Sequence, residues 1–200
     1  MEDKMRKYKI SEMADIQSGL VLSRKAANEK TSVYLYKRLT LRSVTEECLL
    51  DVTSFEEYAA SEPIDGQFLT KENDIIVRLF APVCVTLITK EYEGLVVPSQ
   101  LAIIRLKDDS MYLPGYLSVY LTNQRILENL VEGAGMAAQK IIKVGNIAEL
   151  EIPCLPMEKQ EMISDIANEQ LNIIALYKKI IEQESLRTKS VIKDIFGGKR

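Results

Sequence analysis

The side chains with most to offer a ligand are cations and amides, and most of them fall in the first half of the chain. Arg24, Lys25 and Lys30 lie in a polar stretch after Gly19, Ser23-Arg24-Lys25-Ala26-Ala27-Asn28-Glu29-Lys30. Lys37, Arg38 and Arg42 follow on a β-rich run in which basic and apolar residues interleave. Guanidinium and ammonium groups so placed neutralise phosphates, the main source of affinity for DNA. Arg78 interrupts an apolar run, where an unpaired buried charge is costly, so it is expected to face a partner or a ligand. Ser99 and Gln100 fall in a turn, and a glutamine amide can pair bidentately with adenine. Gln139 and Lys140 follow Gly133-Ala134-Gly135, whose small residues permit close backbone approach. These residues are the candidate contacts to a phosphate-bearing ligand such as a nucleic acid.

Other chemistry lacks its parts. The chain has no histidine, which removes the commonest general base, and three scattered cysteines make no ordinary zinc site. No phosphate-binding Gly-x-x-x-x-Gly-Lys-Ser/Thr occurs, and no two prolines are adjacent, which excludes an Asn-Pro-Pro-Tyr/Phe amino-methyltransferase motif. The carboxylates lack calcium-loop spacing. A non-catalytic chain with no metal or cofactor of its own is expected. The net charge of −3 argues mildly against nucleic acid, but its distribution is uneven. Residues 1–42 hold ten basic and five acidic side chains, whereas residues 43–75 hold nine acidic ones and a single lysine, Lys71. A basic face within an acidic chain is therefore possible.

The elements that must position these residues follow from pattern. Ser11-Glu12-Met13-Ala14 predicts a helical turn with Ser11 as N-cap. The acidic residues 46–62 read as loop with a short strand. Residues 75–77, 83–88 and 101–106 are β-branched runs bounded by Pro, Gly or charge, hence strands. Residues 112–130 read as one helix with Pro114 in its first turn, closed by Gly133 and Gly135. After a further strand ending near Ile152, Pro153 and Pro156 interrupt regular structure, and a run of some 35 residues without Gly or Pro follows. Its apolar pairs recur three to four apart and it stops at Gly197-Gly198, which predicts one amphipathic helix roughly 50 Å long. Such a helix exceeds what a domain of this size can cover, so part of it should project and seek a partner helix. The predicted pairing face is Ile163, Ile166, Gln170, Ile173, Tyr177, Ile180, Glu184, Val191 and Ile195, with Gln170 and Glu184 as polar positions that fix register. The fold class expected is α+β: a mixed α/β domain with a β-rich core over residues 1–155, then a coiled-coil helix over residues 156–200.

Several stretches, taken in order, resemble the specificity (S) subunit of type I restriction–modification systems. They are Ile10-Ser11-Glu12-Met13-Ala14-Asp15-Ile16-Gln17-Ser18-Gly19, Asn73-Asp74-Ile75-Ile76-Val77-Arg78, Pro98-Ser99-Gln100-Leu101-Ala102-Ile103-Ile104-Arg105, the Tyr-Leu pairs at 112, 116 and 120, and Leu150-Glu151-Ile152-Pro153-Cys154-Leu155-Pro156-Met157-Glu158-Lys159-Gln160. Asn73 stands where the family usually has Gly. A full family member carries two target-recognition domains and two spacer helices, and this sequence shows one of each. The resemblance implies a target-recognition domain that reads double-stranded DNA, and a helix that pairs with another such helix. It also implies two partners: a methyltransferase (M) subunit carrying S-adenosylmethionine, and a restriction (R) subunit using ATP and Mg2+. A twofold homodimer would read a bipartite palindrome. The competing expectation is a protein–protein adaptor with a dimerisation arm and no nucleic acid. No run of 18 apolar residues predicts a membrane span, and the charged N-terminus is unlike a signal peptide, so a cytoplasmic location is expected.

Overall fold

The β-branched runs in the middle of the chain pair with one another across long sequence separations. In the computed structural model, residues 6–27, 34–132 and 141–196 are described. The elements are β1 (Lys7–Lys9), α1 (Ile10–Met13), β2 (Ala14–Ser18), β3 (Tyr34–Arg38), β4 (Glu56–Ala60), β5 (Ile75–Arg78), β6 (Val85–Leu87), β7 (Leu101–Leu106), α2 (Pro114–Leu121), α3 (Gln124–Glu132), α4 (Val144–Ala148), β8 (Glu151–Pro153) and α5 (Met157–Phe196). β2, β7, β5 and β6 form an antiparallel sheet in that order, β3 and β4 a separate ribbon, and β1 and β8 a second ribbon. This is the expected mixed α/β fold with a long C-terminal helix.

Side chains alternate across a strand, so each apolar run serves two cores. Ile75, Val77, Ala102 and Ile104 point toward α1 and α2, where they meet Ile10, Tyr116, Leu117 and Leu121. Ile76, Leu101 and Ile103 point the other way, into a cluster with Leu39, Val44, Ile88 and Val97. A sheet covered on both faces explains why its strands read as continuous apolar runs rather than alternating ones. Two chain reversals are fixed by residues of the resembling stretches. Asn73 takes a φ of 69°, in the left-handed region that favours glycine. A Cβ on Gly19 would lie 2.2 Å from the Val97 carbonyl oxygen, so no other residue fits that crossing.

Three expectations are corrected. The first helix begins at Ile10, and its N-cap is Lys9, with no side-chain cap; Ser11 lies inside it. The predicted helix over residues 112–130 is two helices, because Asn123 Oδ1 accepts from the Arg125 N–H at 3.1 Å and starts a new one. The segment before the prolines is not one strand but α4 followed by the short β8. Tyr112, Tyr116 and Tyr120, one turn apart on and just before α2, donate to the carbonyls of Ile152 (2.8 Å), Pro153 (2.9 Å) and Glu151 (3.3 Å). They clamp β8 where the chain leaves for α5. Burial pushes the Tyr116 hydroxyl up to about 12.

The 40 residues of α5 rise about 60 Å. Its base is tied to the domain by Gln160, which is fully buried. The Leu113 N–H donates to Gln160 Oε1 at 2.9 Å, and Gln160 Nε2 donates to the carbonyls of Met111 (3.0 Å) and Leu155 (2.9 Å). Gly115 and Ser164 let α2 and α5 approach closely: a Cβ on Gly115 would meet the Ser164 side chain at 2.8 Å. Farther along, Lys178 pairs with Glu47 at 3.1 Å and holds that carboxyl below its usual value. Every residue of 178–196 is exposed. Gln160→Ala would strand one buried N–H and two carbonyls. It is expected to cost about 2 kcal/mol in urea unfolding, since buried polar groups without partners cost ~1–3 kcal/mol each and water can recover some.

Candidate nucleic-acid interface

The ribbon of β3 and β4 carries the basic run of the sequence. Its register sets Tyr36 opposite Tyr58, Lys37 opposite Glu57 and Arg38 opposite Glu56. Alternation then gives the ribbon two unlike faces. The inner face packs Tyr36 and Tyr58 on Leu20, Ile64 and Val96. Tyr58 donates to the Leu22 carbonyl at 2.8 Å, and the Ile64 N–H donates to the Tyr36 hydroxyl at 3.2 Å. The outer face shows Lys37, Glu57 and Leu35, the last 77% exposed. The ribbon is fixed to the body by Val96: the Leu39 N–H donates to its carbonyl, and its own N–H donates to the Lys37 carbonyl, both at 2.9 Å.

Each end of the ribbon holds an ion pair. At one end Lys25 pairs with Glu62 at 2.9 Å, beside exposed Arg24 in a 3-10 turn, Leu22–Arg24. At the other end Arg38 pairs with Glu56. There a cleft of about 500 Å³ opens between the ribbon and the turn of residues 98–101, lined by Arg38, Arg42, Phe55, Glu56, Pro98 and Gln100 among others. Three sequence-predicted contacts, Arg38, Arg42 and Gln100, are thus brought together from separate stretches. Arg42 lies on the turn after β3 and not on the strand as predicted, because β3 ends at Arg38. Arg24, Lys37 and Arg42 are exposed and make no ion pair among the described residues. Gln100 is exposed, whereas Ser99 is half-buried and its N–H donates to the Leu20 carbonyl at 2.8 Å.

Arg78 sits behind this cleft. Its Nη1 donates to the Leu41 carbonyl at 3.4 Å, next to Arg42, and its buried Nε has no hydrogen-bond partner. Lys30, Gln139 and Lys140 lie outside the described residues. Glu56 and Phe55 were missed by sequence reasoning, which read residues 46–62 as acidic loop with a short strand. The available signal was that an acidic strand following a basic one can be its hairpin partner. On α5, Ile166, Gln170, Ile173, Tyr177, Ile180, Glu184, Val191 and Ile195 are exposed as a pairing face requires. Ile163 is not free: it is half-buried and packs on the domain's own core.

Changing Arg24, Lys25 and Arg38 together to Ala removes three cations and only two exposed ion pairs, each worth under about 1 kcal/mol. The expected result is DNA affinity reduced roughly tenfold or more with the melting temperature within a few degrees of wild type. A titration at two salt concentrations, beside a thermal melt, checks both halves.

Among the described residues no cluster of His, Cys, Asp or Glu is set to hold a metal, and no helix is long and apolar enough to cross a membrane. A profile of the family described as the type I restriction modification DNA specificity domain matches residues 2–183. The chain belongs to this family. Solved S subunits share the fold of this specificity domain. The HsdS subunit from Thermoanaerobacter tengcongensis superposes with a TM-score of 0.61 at 14% identity, over 95% of this chain and 46% of that one. The S subunit from M. genitalium gives 0.57 at 17% identity, over 96% and 46%. A chain from a structure of type I R-M complex assembly and conformational transition gives 0.59 at 17%, over 96% and 44%. The specificity domain described here therefore spans just under half the length of those chains. A search of curated proteins finds no match.

Proposed function

We propose that this chain reads one half of a bipartite DNA site for a type I restriction–modification complex, and that it performs no catalysis itself. The observation that carries the reading is the convergence of Arg38, Arg42 and Gln100 on one cleft at the end of the β3–β4 ribbon, within a specificity-domain fold. Exposed Lys37 on the ribbon and Arg24 beside it supply phosphate contacts, and the cleft supplies base-edge contacts. The chemistry belongs to partners: a methyltransferase subunit with S-adenosylmethionine and a restriction subunit with ATP and Mg2+. With a net charge of −3, the chain alone should bind DNA weakly and with steep salt dependence, and tight binding should require the methyltransferase. A mobility-shift titration with and without that subunit tests this. Nanomolar sequence-specific binding by the chain alone at physiological salt would contradict it. Absence of binding even in the complex would favour the adaptor reading.

We propose further that α5 pairs this reader with a second one for the other half-site, most simply another copy of this chain. The support is the apolar series on its exposed length: Ile166, Ile173, Tyr177, Ile180 and Val191 recur on one seam broken by polar Gln170, Glu184 and Arg187, with Ile195 one residue off it. A twofold pair of identical readers matches an interrupted palindrome. Ile173→Asp with Ile180→Asp, in the full chain, sets charges on that seam without touching the domain core. The dimer is expected to weaken about 100-fold, roughly 3 kcal/mol. Light scattering across a concentration series reads this directly. A wild-type chain that stays monomeric at high concentration would rule the pairing out.

A further inference from the structure

The cleft at the end of the ribbon contains a carboxylate, and a carboxylate is out of place in a site that only neutralises phosphate. Glu56 lines the cleft with its side chain 57% exposed and is paired with Arg38, whose own side chain is 24% exposed. Opposite a DNA backbone it would subtract affinity. Opposite a base edge it has a use, because a carboxylate accepts from the exocyclic amino group of cytosine. The neighbouring hydroxyls are already spent. Thr53 and Ser54 donate to Asp51, each at 2.6 Å, and Thr40 donates to the Ser54 carbonyl at 3.0 Å. The polar groups with capacity left are Arg38, Glu56, Arg42 and Gln100. Of these, Arg38 and Glu56 hold each other on adjacent strands in direct register. Arg24 and Lys37, by contrast, are exposed and make no ion pair among the described residues, as suits cations that follow a phosphate backbone.

We propose that Arg38 and Glu56 act as one reading unit for a G·C pair, Arg38 donating to guanine O6 and N7 and Glu56 accepting from cytosine N4. The pair presents donors and an acceptor side by side, the complement of what G·C shows in the major groove. A preformed pair also loses little freedom on binding. Glu56 then has two effects. It selects cytosine at one position, and it restrains Arg38 from contacting phosphate at unrelated sequences. The inference rests on the DNA-reading function proposed above and adds the residue and base pair that decide one position.

The test uses the full chain with its methyltransferase and selection from a randomised duplex pool. Glu56→Ala removes acceptor and charge, and should relax a G·C preference at one position of the half-site by roughly 5- to 150-fold, the range of one good base contact. Glu56→Gln keeps an acceptor and loses the charge. It should retain most of that preference while binding to unrelated DNA rises and its salt dependence steepens by about one in log–log slope. Both side chains of the pair are solvent-accessible, so melting temperatures should match wild type. A wild-type motif left unchanged at every position by Glu56→Ala would overturn the assignment while leaving the DNA-reading function intact. A wild-type complex that selects no motif would overturn both.

Discussion

Arg105→Ala is expected to lower the stability of the domain by about 3–5 kcal/mol, the largest loss from any single substitution considered. Asp74 is buried, its side chain 1% exposed, and Arg105 meets it with two donors, Nε at 2.7 Å and Nη2 at 2.6 Å. The same Nη2 donates to the Leu69 carbonyl at 3.0 Å, and Asp74 Oδ2 accepts from the Lys71 N–H at 2.8 Å. Removing the guanidinium leaves a carboxylate in the protein interior with only a backbone amide to hold it. Arg105→Lys keeps a charge but cannot reproduce the fork, so it should fall between alanine and wild type. Urea unfolding of the three proteins measures the series. A loss below about 1 kcal/mol for alanine would show that water reaches Asp74 and that the pair is a surface one.

The second large effect is on function. Arg42→Ala with Gln100→Ala should leave the fold intact, because both side chains are exposed and neither makes a side-chain hydrogen bond or ion pair among the described residues. If each contacts a base, each is worth about 1–3 kcal/mol of discrimination. Together they should cut preference for the target over random DNA roughly 30-fold at the low end and above 1,000-fold at the high end. Competition binding with the methyltransferase present reads this ratio. Equal losses on target and random DNA would instead make both residues backbone contacts.

The strands β3, β5, β6 and β7, the long helix and its start were legible because they depend on local periodicity and on breakers such as Pro153 and Pro156, whereas the short β1 and β2 carry no apolar run and were not read. The break at Asn123 was not, because a helical pattern survives a one-residue cap and only the Oδ1 bond marks it. The cleft was half legible. Arg38, Arg42 and Gln100 stood out by type, but nothing in the sequence says that residues 38, 56 and 100 meet. That follows from the β3–β4 register and from Val96 docking the ribbon, both long-range pairings. The Asp74–Arg105 pair is of the same kind: both residues lay in stretches resembling the S family, and their contact appears only when β5 and β7 pair. Ile163 misled because helical spacing gives a face, while which neighbour covers that face depends on α2 and its Gly115–Ser164 approach.

The central claim is that this chain decides which DNA sequence its complex modifies. Mapping methylated bases across the genome of cells that carry the methyltransferase, with and without this chain, tests it most directly. The account predicts a two-part motif present only with the chain, inverted about an unread spacer when the chain pairs with itself. The same motif in cells lacking the chain, or methylation with no motif at all in cells that have it, would contradict the account.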